Sequence, residues 1–595
     1  MKNFAYFILL KNAWKYAEKH RYYIVVFYIM QVVSSLGLLM QPYCFGKLTN
    51  VLQIGGKNMF KDLLFWAAVY IGIYIAFWMI HALARLLERR VAVYIRKNLN
   101  DQLYCCLREL PLQWHQNHHS GDTINRLSKA SSALQQFSQG QYVLIGLFTK
   151  FGGALILLLC VISPFTGIVT VGMGFLILSL IIYFDRILIP IYEKGNEFQH
   201  YFAAALHDYV TNISTIITLR LGDKTRHELL NRFDKMIPNE KSEIDINEAK
   251  WFSFDILLNI IVISLIIYYV WDQTYNHQQV IMVGSFVMVF QYFQHLMDAF
   301  VSFSQTYGGL VQQSIAVQAI DPILQDHAKL EVKQISKVDY GWKKIEISNI
   351  NFSYEDREHH RHQLQNIALT IHRGQRIAII GASGAGKSTL LSLLRGLYPV
   401  DKARVKVDDV TYDNLFALSH LSTLIPQEPE IFENTILYNV TVGIHRSDQD
   451  IQEALKIACF DTVMKNLPNG MQTDIREKGV NLSGGQKQRL ALARGVFMAK
   501  ESSLLLLDEP TSSVDSATET KIYENLFSAF PDVTIISSVH RLHLLHLFDW
   551  IYMFDDGKVI EQGTFQDLLQ AKASFYKIWQ QYLHTKTPDS EPINT

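Results

Sequence analysis

The sequence has few cysteines and no excess of charge of either sign. Five Cys among 595 residues do not make the disulfide framework of a small secreted domain, and the adjacent Cys105 and Cys106 lack the spacing of metal ligands. The 55 Lys and Arg residues are balanced by 55 Asp and Glu, which argues against a nucleic-acid-binding protein held by a basic surface. Charged residues make up 18% of the chain and hydrophobic residues 49%, so a disordered chain is excluded. The composition indicates a partly membrane-embedded protein of at least two domains.

Apolar runs of about 20 residues, long enough to cross a bilayer, are confined to the first half of the chain. From these runs we predict six transmembrane helices, centred on residues 23–46, 63–86, 142–162, 165–187, 252–271 and 280–303. Past Leu330 short β-rich runs alternate with amphipathic stretches, which is typical of a soluble α/β domain. The predicted protein is therefore multidomain, with an all-α polytopic membrane domain followed by an α/β domain. The predicted borders are 1–325 for the membrane domain, 326–342 for a linker, 343–583 for the α/β domain and 584–595 for a flexible C-terminal tail.

The connecting segments predict the orientation of the membrane domain through their lysines and arginines. Residues 163–164 and 272–279 carry neither Lys nor Arg, whereas 85–129 and 186–250 carry many and are expected to be cytoplasmic. With six spans, both termini are then cytoplasmic as well. The first residues spread their lysines among aromatic residues, which indicates an interfacial amphipathic helix rather than a cleavable signal. The lack of a targeting segment suits a bacterial inner (plasma) membrane.

Long cytoplasmic extensions are predicted from the scarcity of helix breakers. Residues 62–110 contain no Pro and one Gly, so a single helix there would reach about 70 Å, more than twice the bilayer core. The segment 191–250 is predicted to make a second excursion of the same kind, with an ordinary cytoplasmic loop as the alternative.

A phosphate-binding loop follows the strand-like run at residues 376–380. Its residues are Gly381, Ala382, Ser383, Gly384, Ala385, Gly386, Lys387, Ser388 and Thr389, in the required strand, loop and helix context. Glycines allow the backbone amides to turn toward a phosphate, and the helix N-terminus adds its dipole. We expect Lys387 to bridge the β- and γ-phosphates and Ser388 to bind Mg²⁺. The second domain is thus predicted to be an α/β P-loop ATPase domain.

Two carboxylates end the apolar run at residues 504–507. We expect Asp508 to hold Mg²⁺ through water and Glu509 to polarise the attacking water. A buried strand with polar ends is the alternative for this motif taken alone, and the order of the motifs argues against it.

Between these two motifs lies the sequence Leu-Ser-Gly-Gly-Gln, which contains Ser483, Gly484, Gly485 and Gln486. With it, the chain resembles the ATP-binding cassette (ABC) transporter family, whose signature motif is LSGGQ. The resemblance implies that Tyr354 stacks on adenine, that Gln427 senses Mg²⁺, and that His540 contacts the γ-phosphate. Asp515 matches the family's aspartate at the dimer seam, although Ser-Ser-Val precedes it where exporters commonly have Ser-Ala-Leu.

The same resemblance extends to the membrane domain and implies an exporter-type half-transporter. Residues 110–112 with 120–122 resemble the first coupling region of that class. In this family the signature motif faces a nucleotide held by the opposing subunit, so a homodimer that sandwiches two ATP is expected, and a heterodimer is the alternative. The implied function is an ATP-driven exporter or flippase in a lipid bilayer with an unknown exported substrate and no nucleic acid. An ATP-gated channel or membrane regulator is the second function class.

The sixth predicted span carries four polar residues on one helical face, Gln291, Gln294, His295 and Asp298. Ionisable groups within a span usually line a cavity or pair with one another. We therefore hypothesise that this face borders the translocation path and favours a polar or cationic-amphipathic cargo. A structural pair of His295 and Asp298, or a position above the membrane, is the alternative.

Overall fold

The computed structural model describes residues 5–118, 120–161, 164–276, 282–330, 338–355, 361–400, 402–475 and 482–586, and these form two compact units. The first, called the membrane unit, holds the described residues of 1–109 and 120–329. The second, called the cassette unit, holds those of 110–119 and 330–595. The borders predicted for the domains stay predictions.

The described residues before position 331 are almost entirely helical. The helices are α1 (Ala5–Ala17), α2 (Arg21–Leu38), α3 (Met40–Ile54), α4 (Met59–Glu109), α5 (Leu112–Asn117), α6 (Ser120–Gln139), α7 (Gln141–Val161), α8 (Pro164–Thr211), α9 (Ile213–Thr218), α10 (Gly222–Trp271), α11 (Val283–Gln318) and α12 (Asp321–Ala328). Of these, α5 belongs to the cassette unit and the others to the membrane unit.

The structure confirms the long helices expected from the scarcity of breakers. Helix α4 runs unbroken for 51 residues, which corresponds to about 75 Å. Helices α8 and α10 contain 48 and 50 residues and pack against each other on either side of the short helix α9. Each has an interior proline, Pro190 in α8 and Pro238 in α10. The two prolines lie at the same level, because Asn239 Nδ2 donates a 3.0 Å hydrogen bond to the carbonyl of Ile191.

Four helical stretches of the described part are long and apolar enough to cross a membrane. They are Ala5–Ile54, Met59–Glu109, Gly174–Thr211 and Gly222–Asn276. The two other predicted spans correspond to α7 and α11, and each of those spans includes residues outside the described part, at 162 and at 280–281.

Close helix contacts in the membrane unit depend on small residues. Helix α3 meets α11 at Gly46 and Gly284, where a Cβ built on Gly284 would lie 1.9 Å from the Gly46 carbonyl oxygen. Small residues let helix backbones approach closely where lipid supplies no hydrophobic drive for association. Helices α8 and α10 are further joined by a buried ion pair, in which Lys250 Nζ lies 2.8 Å from Asp185 Oδ1.

The cassette unit contains two sheets. Its strands are β1 (Lys344–Glu355), β2 (Arg361–His372), β3 (Arg376–Gly381), β4 (Lys402–Val407), β5 (Val410–Tyr412), β6 (Ser422–Ile425), β7 (Leu504–Asp508), β8 (Thr534–Ser538), β9 (Trp550–Asp555) and β10 (Lys558–Gly563). One sheet has the order β2-β1-β4-β5 and is antiparallel. The other has the order β10-β9-β3-β8-β7-β6, in which β9, β3, β8, β7 and β6 run parallel.

Helices cover the parallel sheet, as the apolar character of β3, β7 and β8 on both faces requires. These helices are α13 (Lys387–Leu394), α14 (Ile436–Thr441), α15 (Asp448–Ile457), α16 (Asp461–Met464), α17 (Gly484–Ala499), α18 (Ser516–Ala529), α19 (Phe565–Ala571) and α20 (Ser574–Lys586). All of β7 is buried, which explains its unbroken run of leucines.

Helix α5 lies within the cassette unit although its sequence falls in the membrane half. The hydroxyl of Tyr398 donates a 3.0 Å hydrogen bond to Gln116 Oε1 of α5. Tyr398 is itself buried and its ring lies 5.6 Å from that of Phe352 on β1. Of the segment predicted to be the first coupling region, residues 110–112 thus belong to the cassette unit and residues 120–122 to the membrane unit.

Candidate functional site

Four segments with predicted site residues meet at one edge of the parallel sheet. Strands β3, β8, β7 and β6 are neighbours in that order and run parallel, so their carboxyl ends lie together. The segments that follow those ends are 381–389, 539–541, 508–509 and 426–427. The sheet therefore brings together the predicted phosphate loop, His540, the paired carboxylates and Gln427.

The phosphate loop requires glycine at two positions for steric reasons. A Cβ on Gly381 would lie 2.3 Å from the carbonyl oxygen of Phe554, and one on Gly386 would lie 2.5 Å from Leu364 Cδ2. Both residues also have positive φ angles, of 150° and 99°. The loop leads directly into α13, whose first amides are available to an anion. Ser383 and Gly384 are exposed, Ala385 is buried, and Thr389 is half-buried in the first turn of α13.

Lys387 lies over this loop. Its Nζ donates hydrogen bonds of 2.9 Å and 3.0 Å to the carbonyl oxygens of Gly381 and Ala382. Burial lowers the pKa of the Lys387 ammonium, and the carboxylates of Glu509 and Asp508 act in the opposite direction. An ammonium in this position can bridge the phosphates of a bound nucleotide.

Oxygen atoms suited to Mg²⁺ converge on Asp508. Asp508 Oδ1 accepts hydrogen bonds from Ser388 Oγ at 3.0 Å and from Ser538 Oγ at 2.8 Å. Mg²⁺ prefers oxygen ligands and is usually bound by one or two protein groups together with water and phosphate oxygens. Ser388 and Asp508 fit that pattern. Among the described residues no cluster of three or more His, Cys, Asp or Glu side chains could hold a metal alone.

Glu509 has a strained backbone that several contacts hold in place. Its φ is 44°, in the left-handed region, a conformation that costs about 1–3 kcal/mol in a residue with a side chain. Its amide donates to Ser538 Oγ at 2.9 Å, and its Oε2 accepts a 3.0 Å hydrogen bond from Gln427 Nε2. The half-buried carboxylate is thus oriented at the edge of the site, where it can accept a proton from water.

His540 is exposed and lines a cavity of about 300 Å³ together with Glu509. The next residue, Arg541, is held by the buried carboxylate of Glu519, with Nη1 at 3.1 Å from Oε2. Thr511 Oγ1 donates to the other oxygen of Glu519 at 2.7 Å. Sequence reasoning did not single out Glu519. The sequence signal that could have found it is its position, one helical turn after Asp515. A carboxylate that is buried on a helix needs a cationic partner.

The signature residues cap the N-terminus of α17. Ser483 Oγ accepts from the amide of Gln486 at 3.3 Å, and Gln486 Oε1 accepts from the amide of Ser483 at 2.9 Å. Gly484 and Gly485 lie against the segment before α18, since a Cβ on Gly485 would meet the Ser513 carbonyl oxygen at 2.8 Å. Buried Gln488, which the sequence analysis gave no role, ties the two segments together. It donates to Ser512 Oγ at 2.6 Å and accepts from the amide of Ser513 at 2.7 Å.

Asp515 is the N-cap of α18, where its side chain accepts a 2.9 Å hydrogen bond from the amide of Thr518. That backbone donor holds the pKa of the Asp515 carboxyl below its usual value. In the described part of the chain, no hydrogen bond or ion pair joins residues 483–486 to residues 381–389. The structure thus forms two groups of predicted site residues, one at the sheet edge and one where α17 and α18 begin.

Tyr354 and the polar face of α11 complete the predicted site residues. Tyr354 pairs with His362 in the β1–β2 ladder, and its side chain lies outside the described part of the structure. On α11, Asp298 is exposed, while Gln291, Gln294 and His295 are half-buried. The intervening Tyr292, Phe293 and Leu296 are buried, so the polar residues occupy the opposite side of the helix.

Two family models match the chain, and neither overlaps the other. Residues 24–300 match the model of the ABC transporter transmembrane region, and residues 364–512 match that of the ABC transporter. Among solved structures, a bacterial Atm1-family ABC exporter with ATP bound superposes with a TM-score of 0.83 over 94% of this chain and 99% of that chain, at 21% identity. This structural likeness shows the fold.

Curated relatives match along most of the chain at low identity. An ABC-type transmembrane transporter of Clonostachys rogersoniana is 25% identical over 96% of this chain and 46% of its own length. An ATP-dependent lipid A-core flippase of Coxiella burnetii is 26% identical over 82% of each protein. A mitochondrial iron-sulfur clusters transporter of Aspergillus fumigatus is 32% identical over 50% of this chain and 41% of its own length. The chain spans about half the length of several of the curated relatives that it matches.

Proposed function

The chain belongs to the ABC transporter family, and from this premise we propose that it is an ATP-driven exporter or flippase half-transporter. It acts as a dimer that sandwiches two ATP molecules and couples their hydrolysis to alternating access. The observation that carries this proposal is the convergence of Lys387, Asp508 and Glu509 at one sheet edge, in a chain that also carries membrane-spanning helices. The chain is an integral membrane protein.

ATP binding uses the sheet edge and the signature group of two different subunits. The proposed ATP-binding residues are Tyr354 on adenine, Gly381, Ser383, Gly384, Ala385, Gly386, Lys387, Ser388 and Thr389 on the phosphates, and Ser483, Gly484, Gly485, Gln486 and Asp515 toward the nucleotide of the opposing subunit. The separation of the two groups within one chain supports this division of roles, because residues 483–486 make no hydrogen bond to 381–389 in the described structure.

Hydrolysis depends on Glu509, Gln427 and His540. Glu509 accepts a proton from the attacking water, and Gln427 fixes the orientation of its carboxylate through the 3.0 Å hydrogen bond. His540 lines the same cavity and is placed to donate to the γ-phosphate. Ser388, Asp508 and Gln427 would hold Mg²⁺, which neutralises the charge that develops on the phosphate oxygens. Ser538 positions both carboxylates, since it contacts Asp508 Oδ1 and the amide of Glu509.

A second copy of this chain is the proposed partner, with a heterodimer as the alternative. Helix α9 joins α8 to α10 in the segment predicted to be the second cytoplasmic extension. Three apolar side chains in or next to α9 are exposed: Ile213 by 49%, Ile217 by 70% and Leu219 by 61%. An apolar patch in an aqueous compartment marks an interaction surface. The first excursion already has its partner, because α5 belongs to the cassette unit. The patch at α9 supports docking onto another subunit.

The proposed location is a bacterial plasma membrane with both termini in the cytoplasm. The distribution of Lys and Arg between the connecting segments supports this orientation. The Coxiella relative, which matches over 82% of its own length, supports the bacterial assignment.

The proposed cargo is polar or cationic-amphipathic and passes the polar face of α11. The exposure of Asp298 on this face supports the proposal, since a carboxylate in a span is stable only next to water or a cation. Peptide, lipid, drug and glycoconjugate cargoes all remain within the proposal.

The test is the ATPase rate of the purified chain in lipid nanodiscs, compared with Glu509→Gln and with addition of candidate cargo classes. We expect hydrolysis by the chain alone, its loss by at least about a hundredfold in Glu509→Gln, and stimulation by one cargo class that Asp298→Asn reduces. Hydrolysis without any cargo-linked stimulation or transport would favour a gate or regulator. Absence of hydrolysis in folded protein would show that the active site needs a different partner chain.

A further inference from the structure

An open groove runs between the N-terminal helix α1 and helix α2. One face of α1 and one face of α2 form its walls, with a volume of about 550 Å³. The lining residues are Phe7, Leu10, Lys11, Trp14, Ile24, Val25, Tyr28 and Ile29. On α1 the spacing is i, i+3, i+4 and i+7, which places these side chains on one side of the helix. Apart from Lys11 and the Tyr28 hydroxyl, the walls are apolar.

The outer rims of the groove are exposed apolar side chains. Phe7 is 63% exposed, Val25 47% and Ile29 59%. Such a surface is stable only if the medium that fills the groove is itself hydrocarbon. Outside the groove, helix α1 carries one charged residue, Lys15, and α2 belongs to the first candidate span. The groove therefore opens toward lipid rather than toward water.

Two cations are placed at this groove. Lys11 lines the wall, and Arg21 lies at the start of α2 with its guanidinium carbon 5.8 Å from the centre of the Trp14 ring. Arg21 Nε donates a 2.9 Å hydrogen bond to the carbonyl of Trp14, which fixes the orientation of the guanidinium. Within the described residues, neither Lys11 Nζ nor the two terminal nitrogens of Arg21 bonds to another protein group. A fixed guanidinium whose two terminal nitrogens keep free N–H groups can donate to two oxygens of a phosphate.

We propose that this groove binds an acidic phospholipid of the bilayer. An acyl chain lies along Phe7, Leu10, Ile24, Val25 and Ile29, and the phosphate is held by Arg21 and Lys11. Charge complementarity selects the acidic lipid over a zwitterionic one, because within the described residues neither cation at the groove pairs with a carboxylate and the lining contains none. This site is separate from the nucleotide site and from the proposed cargo path, and its occupancy does not depend on transport activity.

The bound lipid can be measured by mass spectrometry on the full-length protein. The chain is reconstituted in nanodiscs of equal phosphatidylcholine and phosphatidylglycerol, re-extracted in mild detergent, and the ratio of retained acidic to zwitterionic lipid is determined. We expect the parent to retain the acidic lipid in excess. Arg21→Gln and Lys11→Gln should each lower the ratio about fivefold, because a cation next to an anionic headgroup contributes that factor in affinity.

Three further variants separate the effect of charge from the effect of position. Lys57→Gln and Lys61→Gln remove the same charge from exposed positions that are not part of the groove, and they should leave the ratio unchanged. Ile29→Trp keeps both cations and fills the groove, so it should lower the amount of retained acidic lipid.

An unchanged ratio in Arg21→Gln and Lys11→Gln, an equal fall in the Lys57 and Lys61 variants, or full retention in Ile29→Trp would each overturn the proposal. Retention of a molecule other than a phospholipid would overturn it as well. The thermal unfolding temperature of each variant, compared with that of the parent, shows that it is folded. Failure of the transporter proposal would leave the lipid ratio unaffected, so the two proposals are tested separately.

Discussion

Glu519 is a buried carboxylate that acts on the site through another residue. It contacts Arg541, which follows His540 directly, and it touches none of residues 381–389. It is therefore a positioning residue for the loop that carries His540.

We predict that Glu519→Gln lowers kcat for ATP hydrolysis on the order of tenfold and leaves KM for ATP nearly unchanged. The amide keeps the hydrogen bond to Thr511 but loses the charge-assisted contact with Arg541, an interaction of about 1.5–3 kcal/mol. Steady-state ATPase kinetics measure both constants. Glu524→Gln removes an exposed carboxylate from the same helix and is the matched control. A rise in KM without a change in kcat would contradict a role in positioning His540.

Cys459 provides a test of burial in the cassette unit. Its thiol is buried, and burial raises the thiol pKa above its usual value. Only the thiolate reacts with alkylating reagents, so a raised pKa keeps Cys459 unreactive as pH rises from 7 to 9.

We expect Cys459 in the native chain to be alkylated at pH 9 at least about tenfold more slowly than after unfolding in denaturant. Peptide mass spectrometry after timed alkylation gives the rate for each cysteine. The half-exposed Cys105 in the same sample shows that the reagent is active. Equal rates at the two cysteines in the native protein would contradict the buried environment.

For single residues, the sequence identifies those that belong to a motif but not those that hold a motif residue in place. Lys387, Asp508 and Glu509 are recognisable because their chemistry requires a fixed spacing along the chain. Glu519 and Gln488 are not, because what defines them is contact with Arg541 and with the Ser512–Ser513 segment, and contact across the fold leaves no local pattern.

Helices α14 and α17 are joined through Asn439 and Arg494. Asn439 is fully buried, and its side chain bonds the backbone of Phe432 in both directions, at 2.9 Å and 2.8 Å. Arg494 of α17 donates from Nε to the backbone carbonyl of Asn439 at 2.7 Å and from Nη2 to Asn439 Oδ1 at 3.0 Å. Its guanidinium carbon lies 4.7 Å from the centre of the Phe432 ring. The segment that follows Gln427 is thereby fixed to the helix that begins with the signature residues.

We predict that Asn439→Ala destabilises the cassette unit by about 1–3 kcal/mol and lowers its unfolding temperature by several degrees. The reason is that buried donors and acceptors on Phe432 and Arg494 lose their partner. Thermal unfolding of the full chain, followed by limited proteolysis, measures the change. Asn466→Ala, at an exposed position with a single long hydrogen bond, is the control. Identical protease resistance in the two variants would contradict the prediction.

Helices and strands could be predicted from the sequence where hydrophobic periodicity or local composition determines the secondary structure. The absence of proline between residues 62 and 110 predicts α4, and the structure confirms it as one helix. The same argument applied to 191–250 could not anticipate that α10 tolerates Pro238 in its interior, since packing against α8 compensates for the lost backbone hydrogen bond. Pairing of β1 with β4 likewise depends on contacts distant in sequence.

At the scale of the whole molecule, the proposed homodimer predicts complementation between two inactive variants. Glu509→Gln damages the sheet-edge half of the ATP site, and Ser483→Arg damages the signature half that the other subunit completes. In a mixed dimer, one site combines an intact sheet edge with an intact signature. Co-expression at equal levels should restore about a quarter of the parental ATPase rate, because half of the dimers are mixed and each has one working site.

The matched control pairs two variants of the same half-site. Glu509→Gln with His540→Ala leaves a damaged sheet edge in both sites of every dimer, so no activity should return. The ATPase rate of purified mixtures, with the two chains carrying different affinity tags, distinguishes the cases. Recovery in the control pair, or none in the first pair, would contradict a site shared between two identical chains.

The two-domain organisation was visible in the sequence because apolar runs stop near residue 330. The α/β fold was predicted from the short β-rich runs that alternate with amphipathic stretches after that point. The place of α5 within the cassette unit was not predicted from the sequence. The contact between Gln116 and Tyr398 spans 282 residues of sequence and has no local signal.

The interior prolines of α8 and α10 distinguish this helix pair from the long helix α4, which contains none. Helix α4 has no interior proline, so we expect it to bend little along its 51 residues. Pro190 and Pro238 interrupt the backbone hydrogen bonding of α8 and α10 at the same level, where Asn239 links the two helices. We expect these two helices to bend at the prolines when the membrane unit changes conformation. We therefore expect the α8–α10 pair to bend more readily than α4 when the two ends of the membrane unit move relative to each other.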